Sequence, residues 1–433
     1  MVKSSNWEEN LKFDDVREWK CAIVKNPNIS DEFIQYLAEV VPKLNDPSDT
    51  LPVIREGIED GLTLEQIKLY GNPVFNYGQM KEIYDGIKNK LTVEQICVYA
   101  KPEFNRYQMK LIKLGLIEGF SSDAVAIYAT PAFDSRQMKV IYDDLKSGVS
   151  IKILSIYADA KFDADQMHEL SLLWSKQERS LEEIKICANP RFEASKIEKL
   201  GEIFRVCRGM SIEKVKIVAN PEFSMQQMVE IYRGLVSCDL ILEQIKVFAR
   251  PEFNEYQMEI IRRELEKGLS LERAKVLANP QFMPDKMQKI AYALRSNFPL
   301  EKIKLCIPPE FSCSQTAEII TGIEDDLSLD QLQLYADPKF DSNQMMEIRI
   351  SLSSGLSLEQ VEVLARPEFN EEQMLQIRAG FESGLTIEEV ETYAKPEFDN
   401  QKMEELRLGI ESDISLETVM KRKIERNRKE SWY

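Results

Sequence analysis

A phenylalanine returns along this chain at a nearly fixed interval. It stands at Phe75, Phe104, Phe133, Phe162, Phe192, Phe223, Phe253, Phe282, Phe311, Phe340, Phe369 and Phe398, in steps of 29 to 31 residues. A fixed period of that size is the sign of stacked structural repeats, and it overrides any domain count taken from length.

The residues around each Phe describe a helix start. In Phe253-Asn254-Glu255-Tyr256-Gln257-Met258, Asn254 reads as an N-cap, Gln257 as its capping-box partner and Phe253–Met258 as a hydrophobic staple. Gln stands four residues after the Phe in nine of twelve repeats, and Lys196, Lys286 and Lys402 replace it in the others. Met stands five after it in all but two, where Ile197 and Thr316 take its place. Apolar residues at offsets 5, 8 and 12 make one helical stripe, so the Met and aromatic columns read as core.

A second helix opens in the same way. In Leu356-Ser357-Leu358-Glu359-Gln360-Val361, Ser357 caps and Gln360 closes the box. Gly61, Gly119, Gly148, Gly268, Gly355 and Gly384 precede such segments, at the left-handed position that ends the previous helix. The second helix ends in an aromatic-small pair such as Tyr99-Ala100, and the proline ahead of each Phe predicts its stop. The unit is therefore a hairpin of one helix of about ten residues and one of about twelve, each burying its stripe on a neighbour. The expected fold is all-α, an α-solenoid of about twelve two-helix repeats.

Residues 1–60 read as an N-terminal cap with a degenerate repeat, to which Trp7, Phe13, Val16, Trp19 and Ile23 contribute apolar cover. Residues 61–413 form the array, and 414–433 a basic helix or tail around Lys421-Arg422-Lys423. Between about 160 and 250 the pattern loosens. Ala160 replaces the proline, Lys196-Ile197 replaces Gln-Met, and the longer steps fall here, which predicts longer inter-helix turns and a change of pitch or a hinge.

A net charge of −17 argues against nucleic-acid backbone as the main ligand. Seven scattered cysteines without a CxxC pair read as thiols of a reducing compartment, with Cys187 and Cys306 in the core. The polar start has no signal-peptide pattern and no stretch has the length of a membrane span, which predicts a cytoplasmic protein without membrane contact. A single histidine, His168, cannot build a Cys/His zinc site and reads as a helix-surface residue. Phosphate-loop, dinucleotide, zinc-protease and nucleophile-elbow motifs are absent. The expectation is a non-enzyme with no cofactor, metal or catalytic residue.

What remains is surface. The column nine residues after each Phe gathers Tyr84, Tyr142 and Tyr232, then Arg262, Arg349, Arg378 and Arg407. Tyr and Arg are favoured at binding hot spots, which makes these seven the candidate partner-binding residues. The competing role is an ion pair within the array, as Arg378 with Glu382.

The blocks Ala365-Arg366-Pro367-Glu368-Phe369-Asn370 and Ala394-Lys395-Pro396-Glu397-Phe398-Asp399, with Gln-Met and Gly-Leu-Ser recurring in order, resemble a helical repeat of bacterial proteins. Those proteins come mainly from gut Clostridia, their phages and mobile elements, and are largely without assigned function. The resemblance spans roughly residues 60–415, weakens around Phe192 and Phe311, and implies a helical array and a mobile-element setting. It supplies no catalytic or binding residue. The expected function is a scaffold that binds a protein or extended peptide along one face. The alternative is a phage or mobile-element inhibitor of a host defence or nucleic-acid enzyme, acting through an acidic surface.

Overall fold

Two kinds of capped helix alternate along the chain, and their packing follows from how each begins and ends. The computed structural model describes residue 23 and residues 25–177, 180–207, 211–236 and 240–412. Among these there are 26 helices and no strand, and neighbouring helices pack in sequence order. The fold is an α-solenoid in which long helices pack on long and short on short. The chain divides into two compact units, Met1–Pro221 and Glu222–Tyr433. None of the described helices is long and apolar enough to cross a membrane.

The long helices start two residues after each Phe, as in Arg106–Ile117 and Glu255–Glu266. Asn254 accepts from Gln257 N–H at 2.9 Å, and the Gln257 amide oxygen accepts from Asn254 N–H at 2.8 Å. Phe253 and Met258 on either side are fully buried. Most of the long helices end in Schellman turns: Leu91 N–H donates to the Gly86 carbonyl, and Lys90 N–H to that of Ile87. The residue after the cap is left-handed, with φ of 91° at Gly355. Lys90, Asn297 and Asp326 adopt the same conformation without being glycine.

The short helices are shorter than the sequence predicts. Leu64–Tyr70, Val93–Tyr99 and Leu358–Leu364 each have seven residues, not about ten. The reason lies at the small residue that follows. Ala100 has φ −72° and ψ 67°, and Lys101 N–H donates to the Tyr99 carbonyl at 2.7 Å. That is an inverse γ-turn, which stops the helix before Pro102 is reached. The proline lies beyond the stop and does not cause it.

The column four after each Phe is the joint between repeats. Gln79 closes its own capping box through its amide oxygen, and its amide nitrogen donates forward to the Phe104 carbonyl at 2.7 Å and the Pro102 carbonyl at 3.1 Å. Gln257 does the same to Phe282 and Pro280, and Gln344 to Phe369 and Pro367. One buried side chain thus satisfies a helix end in one repeat and loop carbonyls in the next, groups that would otherwise be left unpaired. Gln137 reaches the carbonyl of Ala160, where the proline is missing, and that of Phe162. Lys196 and Lys286 keep only the donor half, reaching the carbonyls of Pro221 and Phe311.

In several hairpins the short helix ends against a gap in the long one. A Cβ added at Gly86 would land on the Tyr99 hydroxyl, and Gly115, Gly322 and Gly380 stand the same way to Tyr128, Tyr335 and Tyr393. Where the end residue is smaller, the gap is filled: Ala293 lies in the hairpin that ends in Cys306, and Ser351 in the one that ends in Leu364. Cys187 and Cys306 are fully buried, and burial pushes the Cys306 thiol up to about 12.

In the irregular segment, two of the long helices carry extra residues. Ala164–Gln177 has 14 and Ala194–Val206 has 13, against 12 elsewhere in the array. Part of the longer spacing is therefore helix, where turns alone were expected. The residues that follow, 178–179, 208–210 and 237–239, lie outside the described set. Before the array, Pro47–Glu59 acts as a long helix, with Gly57 facing the Tyr70 hydroxyl and Asn45 donating to the Pro73 carbonyl at 3.0 Å. The expected cover residues Trp7, Phe13, Val16 and Trp19 and the segment 414–433 also lie outside the described residues.

Candidate functional site

The charged members of the column nine after the Phe are not free to face a groove. They reach back to the column seven after the Phe of the preceding repeat, and the two columns form a polar seam between long helices. Lys113 is buried and donates to Glu82 at 2.7 Å and Asp85 at 2.8 Å. Arg262 pairs with Glu230 at 3.0 Å and Glu266 at 2.8 Å. Arg349 bridges Glu318 and Asp325, and Arg378 bridges Glu347 and Glu382. Arg407 donates to Gln376 at 3.1 Å and Glu411 at 2.8 Å.

Two tyrosines of the column are held in the same way. Tyr84 is buried and donates to Asp60 at 2.6 Å; burial, helped by that bond, raises its hydroxyl well above the usual range. Tyr142 is 5% exposed, and burial and a hydrogen bond to Glu118 raise its hydroxyl too. Tyr232 is half-buried. Six of the seven candidates chosen for hot-spot chemistry thus hold repeats together, because offset nine from the Phe, on a helix that buries offsets five, eight and twelve, points along the neighbouring helix, not away from it.

Within the first unit the charged seam breaks off beyond Glu82 and Lys113. Positions seven after Phe104 and Phe133 carry Leu111 and Val140 where Glu82, Glu230, Glu318 and Glu347 stand elsewhere. Their partners one repeat on are uncharged, Tyr142 and Ser171. Ser171 turns inward and donates to Asp144 at 2.5 Å, and Tyr157 donates to the other oxygen of that carboxylate at 2.8 Å. Burial raises the Asp144 carboxyl above its ordinary value, against the opposing effect of the two hydroxyls.

Over this interruption lies a groove of about 540 Å³ across the helices Arg106–Ile117, Ser135–Lys146 and Ala164–Gln177. Leu111, Val140 and the small Ala164 and Ser135 make its floor and entrance, and Tyr107, 66% exposed, stands beside it. Its rim is basic. Lys110, Lys139 and His168 come from the column six after the Phe, with Arg136 alongside and Asp165 the only acid among the lining residues. Lys139 pairs with Asp143 on its own helix, and Arg136 lies 3.8 Å from Asp165. Lys110 and His168 are exposed, and among the described residues neither makes a hydrogen bond or ion pair. Such a site can take up an apolar group and hold an anionic one beside it.

A scan against protein-family models gives no match, and a search of curated proteins gives none either. The groove residues were not among the candidates read from the sequence, apart from His168, whose surface position the structure shows. A signal was present: Lys81, Lys110, Lys139 and His168 occupy one column in four consecutive repeats, and the acid one position further on is lost only at Leu111 and Val140 among those four.

Proposed function

We propose that the chain is a non-enzymatic binding scaffold that recognises a protein or extended peptide segment across its long-helix face. The groove over Leu111 and Val140 is the contact point. The observation that supports this reading is local. The array neutralises the ninth-column cations of its other charged seams with partners of its own, and over the gap at Leu111 and Val140 it leaves an apolar floor beside the unpartnered Lys110 and the exposed His168. A pocket of this size and lining fits one or two side chains of a partner.

The test is selection of random peptides on the full chain, with counter-selection on Val140→Lys. The fold accepts lysine at this column position, since Lys199 and Lys289 stand there in other repeats. Enriched peptides that bind the wild type and lose at least about tenfold on the variant support the reading. Enriched peptides indifferent to the variant, or no enrichment, count against it.

A further inference from the structure

We infer that the groove takes an extended acidic segment of polyproline-II type, with a carboxylate at every third residue and an apolar side chain next to each. The inference rests on the scaffold reading above and names its ligand class.

The first ground is charge. Lys110, Lys139 and His168 stand one above another on three successive long helices, and Lys81 continues the column one repeat earlier. Within a chain of net charge −17, three lysines and a histidine at the same position of four consecutive repeats gather basic side chains on one face. Lys110 has no internal partner, so an incoming carboxylate meets no competitor there. The column beyond this stretch turns to Glu198, Val229 and Glu259, so the basic run is confined to the groove and the repeat before it.

The second ground is spacing. Packed helices lie roughly 8–10 Å apart, which sets the step from Lys110 to Lys139 and on to His168. A polyproline-II chain returns to the same face every third residue, after about 9.3 Å. Carboxylates at every third residue of such a chain therefore meet the Lys110 and Lys139 ammonium groups and then the His168 imidazole, a hydrogen-bond donor, without strain. An α-helical ligand laid in the same direction would return to a face only about every 10.5 Å with a seven-residue repeat, a poorer fit to the shorter end of the range.

The third ground is the neighbouring strip. Leu111 and Val140 follow Lys110 and Lys139 by one residue, so the apolar floor runs beside the cations over the same two repeats. A second edge of the polyproline-II chain, one residue along from each carboxylate, faces that floor. Tyr107 offers an exposed ring at one end, the kind of surface on which proline-rich ligands stack.

The probe is a fluorescein-labelled peptide of three Glu-Leu-Pro units, titrated onto the full chain and followed by anisotropy. Parallel peptides carry Lys-Leu-Pro and Glu-Ser-Pro units. The variant is Lys110→Glu with Lys139→Glu, which the fold accepts because Glu198, Glu259 and Glu404 hold this column elsewhere. The expected result is binding of Glu-Leu-Pro to the wild type, weaker by about tenfold or more on the variant and weakened by added salt. Lys-Leu-Pro should prefer the variant, and Glu-Ser-Pro should bind less well than Glu-Leu-Pro. Equal binding of the acidic and basic peptides, equal binding to wild type and variant, or no binding of Glu-Leu-Pro overturns the inference. If random selection has still yielded peptides sensitive to Val140→Lys, the scaffold reading stands and only the ligand class falls. If it has not, both fall.

Discussion

Gly86 leaves the space that the Tyr99 hydroxyl occupies, and the Tyr99 ring fills the hairpin with no exposure to solvent. The pair settles a conflict between local and tertiary preference. Alanine inside a helix is favoured over glycine by about 1 kcal/mol, yet a methyl group here would collide with a ring that has nowhere to move.

Gly86→Ala is therefore expected to destabilise the protein, by about 1–3 kcal/mol as overpacking substitutions do. Adding Tyr99→Leu should restore stability, since the hairpin ending in Leu364 places Ser351 at the position of Gly86. Urea midpoints of the two variants check this. A stabilised Gly86→Ala protein would show that the ring yields.

Gln257 predicts a graded series. Gln257→Leu removes the capping-box acceptor and strands the Phe282 and Pro280 carbonyls, at a cost of about 3 kcal/mol for three lost bonds. Gln257→Lys keeps a donor, as Lys286 does toward Phe311, and is expected to cost about 1 kcal/mol, the value of the one lost acceptor. Thermal unfolding should rank wild type above lysine above leucine; equal loss in the two variants would deny the forward bonds any share.

The seam between Glu82 and Lys113 can be exchanged for the pair used one repeat on. Lys113→Tyr alone leaves Glu82 buried with only Arg106 beside it and should cost about 3 kcal/mol. Glu82→Leu with Lys113→Tyr reproduces the Leu111–Tyr142 arrangement and should recover most of that loss. Additive costs in the double variant would contradict the seam as a unit.

Asp144 gives the pH prediction. Its folded carboxyl lies above the ordinary 3.8 because it is buried, so the unfolded chain ionises first as pH rises. The folded state then holds the extra proton, and stability falls from about that pH until the raised folded value is passed. Asp144→Asn removes this dependence. The difference in urea midpoint between wild type and variant should drift against the wild type across that window, and parallel curves would refute the assignment.

Much of the fold was legible because capping chemistry is local. Asn254 with Gln257 and Ser357 with Gln360 announce helix starts within four residues, and the glycines announce the ends. The γ-turn at Ala100 was not legible, since its φ and ψ follow from no residue preference stronger than smallness. The site was harder for a different reason. Arg349 and Arg378 look like recognition residues in one dimension, and only the register between neighbouring helices shows that Glu318 and Glu347 occupy them. The forward role of Gln79 had left a trace: Lys196 and Lys286 keep a donor and give up an acceptor, which a capping box alone would not tolerate.

The two kinds of complementarity differ in how they pass through duplication of the 29-residue unit. Gly86 and Tyr99 lie within one unit, so a change in one is answered inside that unit, as Asp144 accepts from the Tyr157 hydroxyl. Glu82 and Lys113 lie in successive units, so a change in either one must be answered in its neighbour. A stretch such as Leu111–Tyr142 and Val140–Ser171 marks junctions that were settled on different terms, and variation at junctions is the cheapest way for such an array to acquire a new surface while its hairpins stay unchanged.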